Sequence, residues 1–434
     1  MKKKKRVLQF HHSSFILSKF SPCLSVSVFN FFFISISEKL LAIVNYLLDK
    51  ELRLMSQCLI NDDLIKEEFP ACSRGTWFAT GIVGVMPKSA ANMLAEAVIR
   101  FETEFFYNYQ ELDSVIDKLR VRLASLISAE NVTDICFTRN ATEGIIIGVS
   151  NVEFNPGDEI VTSNQEHGAL LDRLNYLDRL GRAKLKMFEI SKEPEETLAS
   201  VKKQVTEKTK LLAFSHVSCQ TGIRLPAKEI CEIGREVGAY VLIDGAQTVG
   251  DIEVNVRDYD CDFYVANGHK WLCGPKGTSF LYINPDSAIQ MSPTFLAFGS
   301  SGDDLATRRN ATRFEYGTRE KILLFGLKSV LDLYDKWNWE MNGGRIKELS
   351  MYLRERLKEV PKCIVHTPMD WDKSSGNTSL TVEGYTLEKI FVYLMNDWRI
   401  MIRNVPEVNS IRISTSYFNT YAEIDRLIEA LKAL

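Results

Sequence analysis

The chain lacks the marks of several protein classes. Its body has no run of about 18 apolar residues free of charge, which excludes a multi-span membrane protein. No Cys-x-x-Cys occurs. The nine cysteines (Cys23, Cys58, Cys72, Cys136, Cys219, Cys231, Cys261, Cys273 and Cys363) are odd in number and scattered. That disfavours a disulfide framework and a structural zinc site, and no metal-ligand set is expected. The thiols read as reduced, pointing to a cytoplasmic protein. Gly274-Pro275-Lys276-Gly277-Thr278 falls short of the spacing of a phosphate-binding P-loop, and no G-x-G-x-x-G follows a strand. The net charge of −3 excludes a nucleic-acid binder driven by bulk phosphate attraction. Internal repeats and low-complexity linkers are also missing.

What is present is ordinary globular material. The 434 residues are 45% hydrophobic and 25% charged, enough chain for two or three domains. The charge is uneven. Residues 1–54 carry nine Lys/Arg against three Asp/Glu, a balance of +6, which leaves −9 on the remainder. The basic head Met1–Arg6 and the Phe- and Ser-rich stretch behind it fit a signal or anchor poorly, because Ser residues and Asn30 break the apolar run. The preferred reading is an upstream extension, with translation beginning at Met55. No membrane partner is expected for the body.

The body alternates between two periodicities. Ala90 to Leu126 repeats apolar residues at helical spacing. Short apolar runs then end in polar clusters. Ile135–Phe137 leads into Thr138–Thr142, Glu159–Val161 into Thr162–Asn164, and Leu211–Phe214 into Ser215-His216. Tyr240–Ile243 leads into Asp244-Gly245, and Phe263–Val265 into Ala266–Gly268. A helix opening at Pro226 separates two of them. Strands alternating with amphipathic helices predict an α/β fold with a mostly parallel sheet covered on both faces. Ligands of such sheets bind beyond the carboxyl ends of the strands, where every one of these clusters sits. After about Gly326, helical stretches (Leu327–Trp337, Arg345–Leu357), short strands near Thr378–Val382 and Ile411–Ser414, and a last helix from Tyr421 predict a smaller α+β domain.

The chemistry concentrates in two segments, Val241–Gln247 and Val265–Gly277. Taken alone, Asp244 reads as a helix-capping carboxylate and Lys270 as a lysine in a turn. Taken as an ordered pair on successive strand ends, the two resemble the class V aminotransferase family, the fold-type-I enzymes that use pyridoxal 5′-phosphate (PLP). That family includes cysteine desulfurases, selenocysteine lyases, isopenicillin N epimerase and related carbon–sulfur lyases. The resemblance covers roughly residues 75–434. It implies a large PLP-binding domain over 55–325, with an N-terminal arm, and a small C-terminal domain over 326–434.

The resemblance also implies roles. Lys270 would form the Schiff base with the cofactor aldehyde and carry the substrate α-proton. Asp244 would keep the pyridine nitrogen protonated, and Gln247 would reach the ring oxygen. His167 matches the imidazole that stacks on the ring. Ala141 and Thr142, at a helix start, match the phosphate-binding turn; an ordinary cap by Thr142 is the alternative. His269 matches a phosphate-binding histidine, and Asn267 stands where many relatives carry Ser. Gly317 and Thr318 match a segment that completes the neighbouring subunit's phosphate site, which implies a homodimer with shared active sites. Arg412 matches the arginine that takes the substrate α-carboxylate, for which a planar fork is suited.

Two departures shape the expected activity. Desulfurases of the family carry a nucleophilic Cys ahead of the arginine strand, whereas Met401–Ser410 contains none. Many relatives have Asn where this chain has Cys219, a weak hydrogen-bonder. A carbon–sulfur lyase acting on an amino acid by α-proton removal and β-elimination is therefore expected first. Epimerisation and transamination are the alternatives. A persulfide-forming desulfurase is disfavoured, and retention of Lys270, Asp244, His167 and Arg412 argues against a non-catalytic PLP-fold protein.

Overall fold

A computed structural model describes residues 62–104, 109–287, 311–337 and 344–434. The extension over 1–54 and the start at Met55 lie outside the described residues. After a helix at Asp62–Glu68 comes strand β1 (Thr76–Trp77), then helices Lys88–Thr103 and Tyr109–Leu126 within the predicted helical stretch.

Seven strands follow: β2 (Ile135–Thr138), β3 (Glu159–Ser163), β4 (Lys184–Phe188), β5 (Thr209–Ser215), β6 (Tyr240–Asp244), β7 (Phe263–Asn267) and β8 (Ser279–Ile283). They form one sheet in the order β2-β8-β7-β6-β5-β3-β4. The pairs β7/β6, β6/β5, β5/β3 and β3/β4 are parallel. Only β8 is reversed, antiparallel to both neighbours. Six strands therefore send their carboxyl ends to one edge, which is what the pattern of polar clusters required. The pattern missed β4 and β8. The Lys-Leu-Lys-Met-Phe run of β4 is an edge strand, and β8 is a short apolar run behind a turn, which periodicity alone does not resolve.

The strand residues alternate between two cores. Val241 and Ile243 of β6 face one with Leu212 and Phe214 of β5, while Leu242 faces the other with Leu211 and Ala213. Helix Ala141–Ser150 covers the second face at close range. A Cβ at Gly148 would fall 2.5 Å from Leu242 Cδ1, and one at Gly144 would fall 2.8 Å from Val265 Cγ1. These two glycines, one turn apart, let the helix lie on β6 and β7 with its first turn over the strand ends.

The C-terminal part adds β9 (Cys363–Val365), β10 (Asn377–Val382), β11 (Ile400–Met401), β12 (Arg403–Val405) and β13 (Ser410–Ser414). Four of them make an antiparallel sheet in the order β12-β13-β10-β9. Helices Gly344–Leu357, Leu387–Trp398 and Tyr421–Lys432 share a core with this sheet. Strand β1 pairs in parallel with β11, and Ala79 bridges to Ser414, so the segment from Thr76 runs along the small sheet. Helix Leu323–Lys336 crosses the expected boundary at 325/326. It buries Leu327, Val330 and Leu331 in a core shared with the large sheet.

The close helix–sheet approach is testable. Gly148→Ala should lower stability by about 1–3 kcal/mol through overpacking, read as a lower urea midpoint at unchanged m-value.

Candidate active site

The segments leaving β2, β3, β5, β6 and β7 wall one cavity of about 360 Å³. Eight of the candidate site residues, Ala141, Thr142, His167, Asp244, Gln247, Asn267, His269 and Lys270, line it, brought there by the large sheet. Asp244 ends β6 and is 4% exposed. Its Oδ1 accepts the backbone N–H of Ala246 at 2.9 Å, which fixes the carboxylate's orientation. Lys270 lies three residues beyond β7 and lines the cavity. Desolvation lowers its ammonium to about 8, Arg412 and Arg403 push the same way, and Asp244 pulls against them. An amine lowered this far keeps a minor unprotonated, nucleophilic fraction near neutral pH, far larger than it would have at the ordinary 10.5.

His167 caps helix Gly168–Arg179, its Nδ1 accepting the N–H of Ala169 at 3.1 Å. That bond assigns the neutral ring's proton to Nε2. Desolvation and the nearby Lys270 hold its pKa below the usual imidazole value. Gln247 is tightly engaged. Its Nε2 donates to Gly81 O at 2.8 Å, and its Oε1 accepts from Trp271 Nε1 at 3.0 Å and Asn377 Nδ2 at 3.3 Å. One Nε2 hydrogen remains for a ligand.

The anion-binding end is built on helix Ala141–Ser150. Its cap is Asn140, whose side chain accepts from Glu143 N at 2.9 Å, and not Thr142. Thr142 is the second residue of the first turn and lines the cavity. Asn267 is a brace as well as a lining residue, its Oδ1 accepting the N–H of Ala141 at 3.0 Å. That leaves its amide N–H₂ for an anion. His269 Nδ1 donates to Thr278 O at 2.9 Å. Its Nε2 can therefore donate to a phosphate only when the ring is protonated. Burial works against that charge, and a bound anion works for it.

Arg412, on β13, is fully buried behind the cavity wall. One Nη donates to the carbonyl of Cys219, which lines the cavity. Its Nε and other Nη have no partner among the described residues, a costly state in a buried cation unless an anion arrives. Burial, reinforced by Arg403, pushes its pKa down to about 9. Gly317 and Thr318 are exposed and do not line this chain's cavity.

Sequence reasoning missed Arg403. It sits on β12 directly opposite Arg412 on β13 and lines the cavity, without a hydrogen bond or ion pair among the described residues. Two like charges across one antiparallel rung destabilise a sheet unless something neutralises them. The signal was a second arginine on a neighbouring strand, and strand pairing is what revealed it. Cys219 is 4% exposed, and desolvation raises its thiol pKa, so it is a neutral thiol at neutral pH. Among the described residues no group of three or more His, Cys, Asp or Glu side chains is placed to hold a metal, and no helix is long and apolar enough to cross a membrane.

The donor set fits PLP: a helix start with Thr142 and Asn267 for a phosphate, a low-pKa lysine for an aldehyde, a carboxylate for a ring nitrogen, and orphaned guanidinium N–H groups for a carboxylate. Fold and site together define a fold-type-I PLP enzyme. A family model described as aminotransferase class-V matches residues 98–427, and the chain belongs to that family, whose cofactor is PLP. Cysteine desulfurases of Shigella sonnei strain Ss046 and Escherichia coli strain K12 / DH10B are 28% identical over 412 residues, covering 86% of this chain and 98% of the relative. Among solved structures, the cystine C–S lyase C-DES with its product cysteine persulfide superposes with a TM-score of 0.77 at 24% identity, over 84% of this chain and 99% of that one. A cysteine desulfurase from Thermococcus onnurineus NA1 gives 0.74 at 23%, over 85% and 96%.

The lowered lysine pKa predicts how apo-protein takes up PLP. Uptake, followed by the visible absorbance of the bound cofactor, should rise with pH to a plateau with a midpoint near 8, not near the ordinary 10.5.

Proposed function

We propose that this chain is a PLP-dependent carbon–sulfur lyase that removes the α-proton of a sulfur-bearing L-amino acid and eliminates the sulfur group from its β-carbon. The observation that carries the reading is the pair Arg403 and Arg412, two guanidiniums in one site with no salt-bridged acidic partner among the described residues. Arg412 takes the α-carboxylate, and Arg403 is free for a second anion on the substrate, as cystine would offer. When bound, PLP supplies the aldehyde that takes the substrate amine and the ring that withdraws its electrons. Asp244 holds a proton at the ring nitrogen. Lys270, in its unprotonated form, takes the α-proton. The His167 ring, with its proton on Nε2, closes the wall above the carboxylate–lysine pair.

The names of the relatives favour a second reading, cysteine desulfuration. That reaction needs a thiolate to take the sulfur. Residues 401–410 form strands and a turn without a cysteine, and the cavity thiol, Cys219, is held protonated. The products separate the two. With L-cystine the lyase yields pyruvate, ammonia and cysteine persulfide, the sulfur leaving group. A desulfurase given L-cysteine with a reductant yields alanine and sulfide. Accumulated pyridoxamine phosphate would mark transamination instead.

We expect pyruvate from L-cystine that disappears in Lys270→Ala. We also expect Arg403→Met to raise KM for cystine by roughly tenfold or more, the loss of one charged hydrogen bond, while S-methylcysteine is little affected. Alanine as the main product would overturn the lyase reading. The exposed turn at Gly317 and Thr318 completes the phosphate site of a second copy in this reading. Light scattering should then give a dimer, and a monomer that binds PLP fully would reject the shared site.

A further inference from the structure

Glu166 is a buried carboxylate that the chemistry above leaves unused. It is 4% exposed and lies on the turn after β3, directly before His167. Three donors hold it. The Ser215 backbone N–H reaches Oε1 at 3.0 Å, the Ser215 hydroxyl reaches Oε2 at 2.5 Å, and the Ser163 hydroxyl also donates to Oε1. None of these donors is a cation. A carboxylate buried without a cation is costly to keep ionised. Desolvation outweighs the three donors, the nearby Asp244 adds to it, and the carboxyl is raised to about 7.

Ser215 connects this group to the site. It ends β5, sits opposite Asp244 in the β5–β6 ladder, and lines the cavity, while its hydroxyl is committed to Glu166. The titratable groups that face Glu166 are Asp244 at the end of β6 and Cys219 on the turn after β5. His167 follows it in the chain, and β3 and β5 present only serines to it.

We infer that Glu166 is a positioning residue for the cofactor: held by Ser215 next to the end of β6, its charge state sets how firmly Asp244 holds a proton at the ring nitrogen. An ionised Glu166 places a second negative charge behind Asp244 and strengthens its hold on that proton. A neutral Glu166 removes the charge and weakens the hold. The inference rests on the family's cofactor and not on elimination as the reaction, so its test needs no turnover.

The full chain loaded with PLP is titrated between about pH 5 and 9 while the visible absorbance of the bound cofactor is followed. Wild type should show a step near 7. Glu166→Gln, uncharged and of the same shape, should bind PLP and lose the step; an unchanged step overturns the inference. Where Glu166→Gln does not fold, Ser215→Ala decides, because it keeps the carboxyl and removes one of the donors that set its titration. A displaced step supports the inference, and a step at the wild-type position rejects it. Apo-protein gives a readout without cofactor. A carboxyl whose folded pKa lies above its unfolded value binds an extra proton in the folded state, so stability falls as pH rises from about 4.5 to about 7. Wild-type apo-protein should lose melting temperature across that window relative to Glu166→Gln; parallel curves reject the titration on which the inference stands.

Discussion

The site depends on one register. The parallel β5–β6 ladder sets Ser215 opposite Asp244, and the β6–β7 ladder continues the row to the strand that ends in Asn267. A slip of one residue in β6 would exchange Val241 and Ile243 with Leu242 between the two cores, because side chains alternate along a strand. All three are completely buried, so the hydrophobic pattern of the cores holds the register that aims the carboxylate. Helix Ala141–Ser150 depends on the same strands, since Gly144 and Gly148 seat it on Val265 and Leu242. Packing and chemistry thus share one constraint.

The site is electrostatically unbalanced toward the cation side. Lys270, Arg403 and Arg412 press on one another, and among the described residues Asp244 is the only carboxylate lining the cavity. The imbalance has a use. It depresses the lysine and leaves buried guanidinium N–H groups without a partner among the described residues, which is what the proposed base and the proposed carboxylate site require. The anion-binding helix start stands apart from this pair, so a phosphate and a carboxylate have separate places. The elements that carry the two ends differ as well. The phosphate end belongs to the large sheet, while the guanidinium pair belongs to the small antiparallel sheet, beside which the segment from Thr76 to Gly81 runs.

Much of this was readable along the chain. Strand ends, helix starts and the residues of Val241–Gln247 and Val265–Lys270 are local features, and local features survive in a one-dimensional string. Lys270, Asp244, His167, Thr142 and Asn267 are therefore legible in the string, and the structure brings all five to one cavity. The Asn140 cap was misassigned by two positions because Asn and Thr are both good caps, and only the backbone geometry says where the helix begins. The edge strand β4 and the reversed β8 escaped because short runs carry little periodicity.

By itself, then, the sequence determined the α/β alternation, the edge of the sheet where chemistry gathers, and the residue types of a PLP site, because hydrophobic periodicity and turn chemistry act over a few neighbouring residues. Tertiary structure alone decided that Arg403 faces Arg412, that Ser215, opposite Asp244 in the ladder, holds the buried Glu166, and that Cys219 is a buried neutral thiol. Each of these joins residues far apart in the chain, and each is a matter of desolvation and charge proximity. Neither quantity exists until distant strands pack and exclude water.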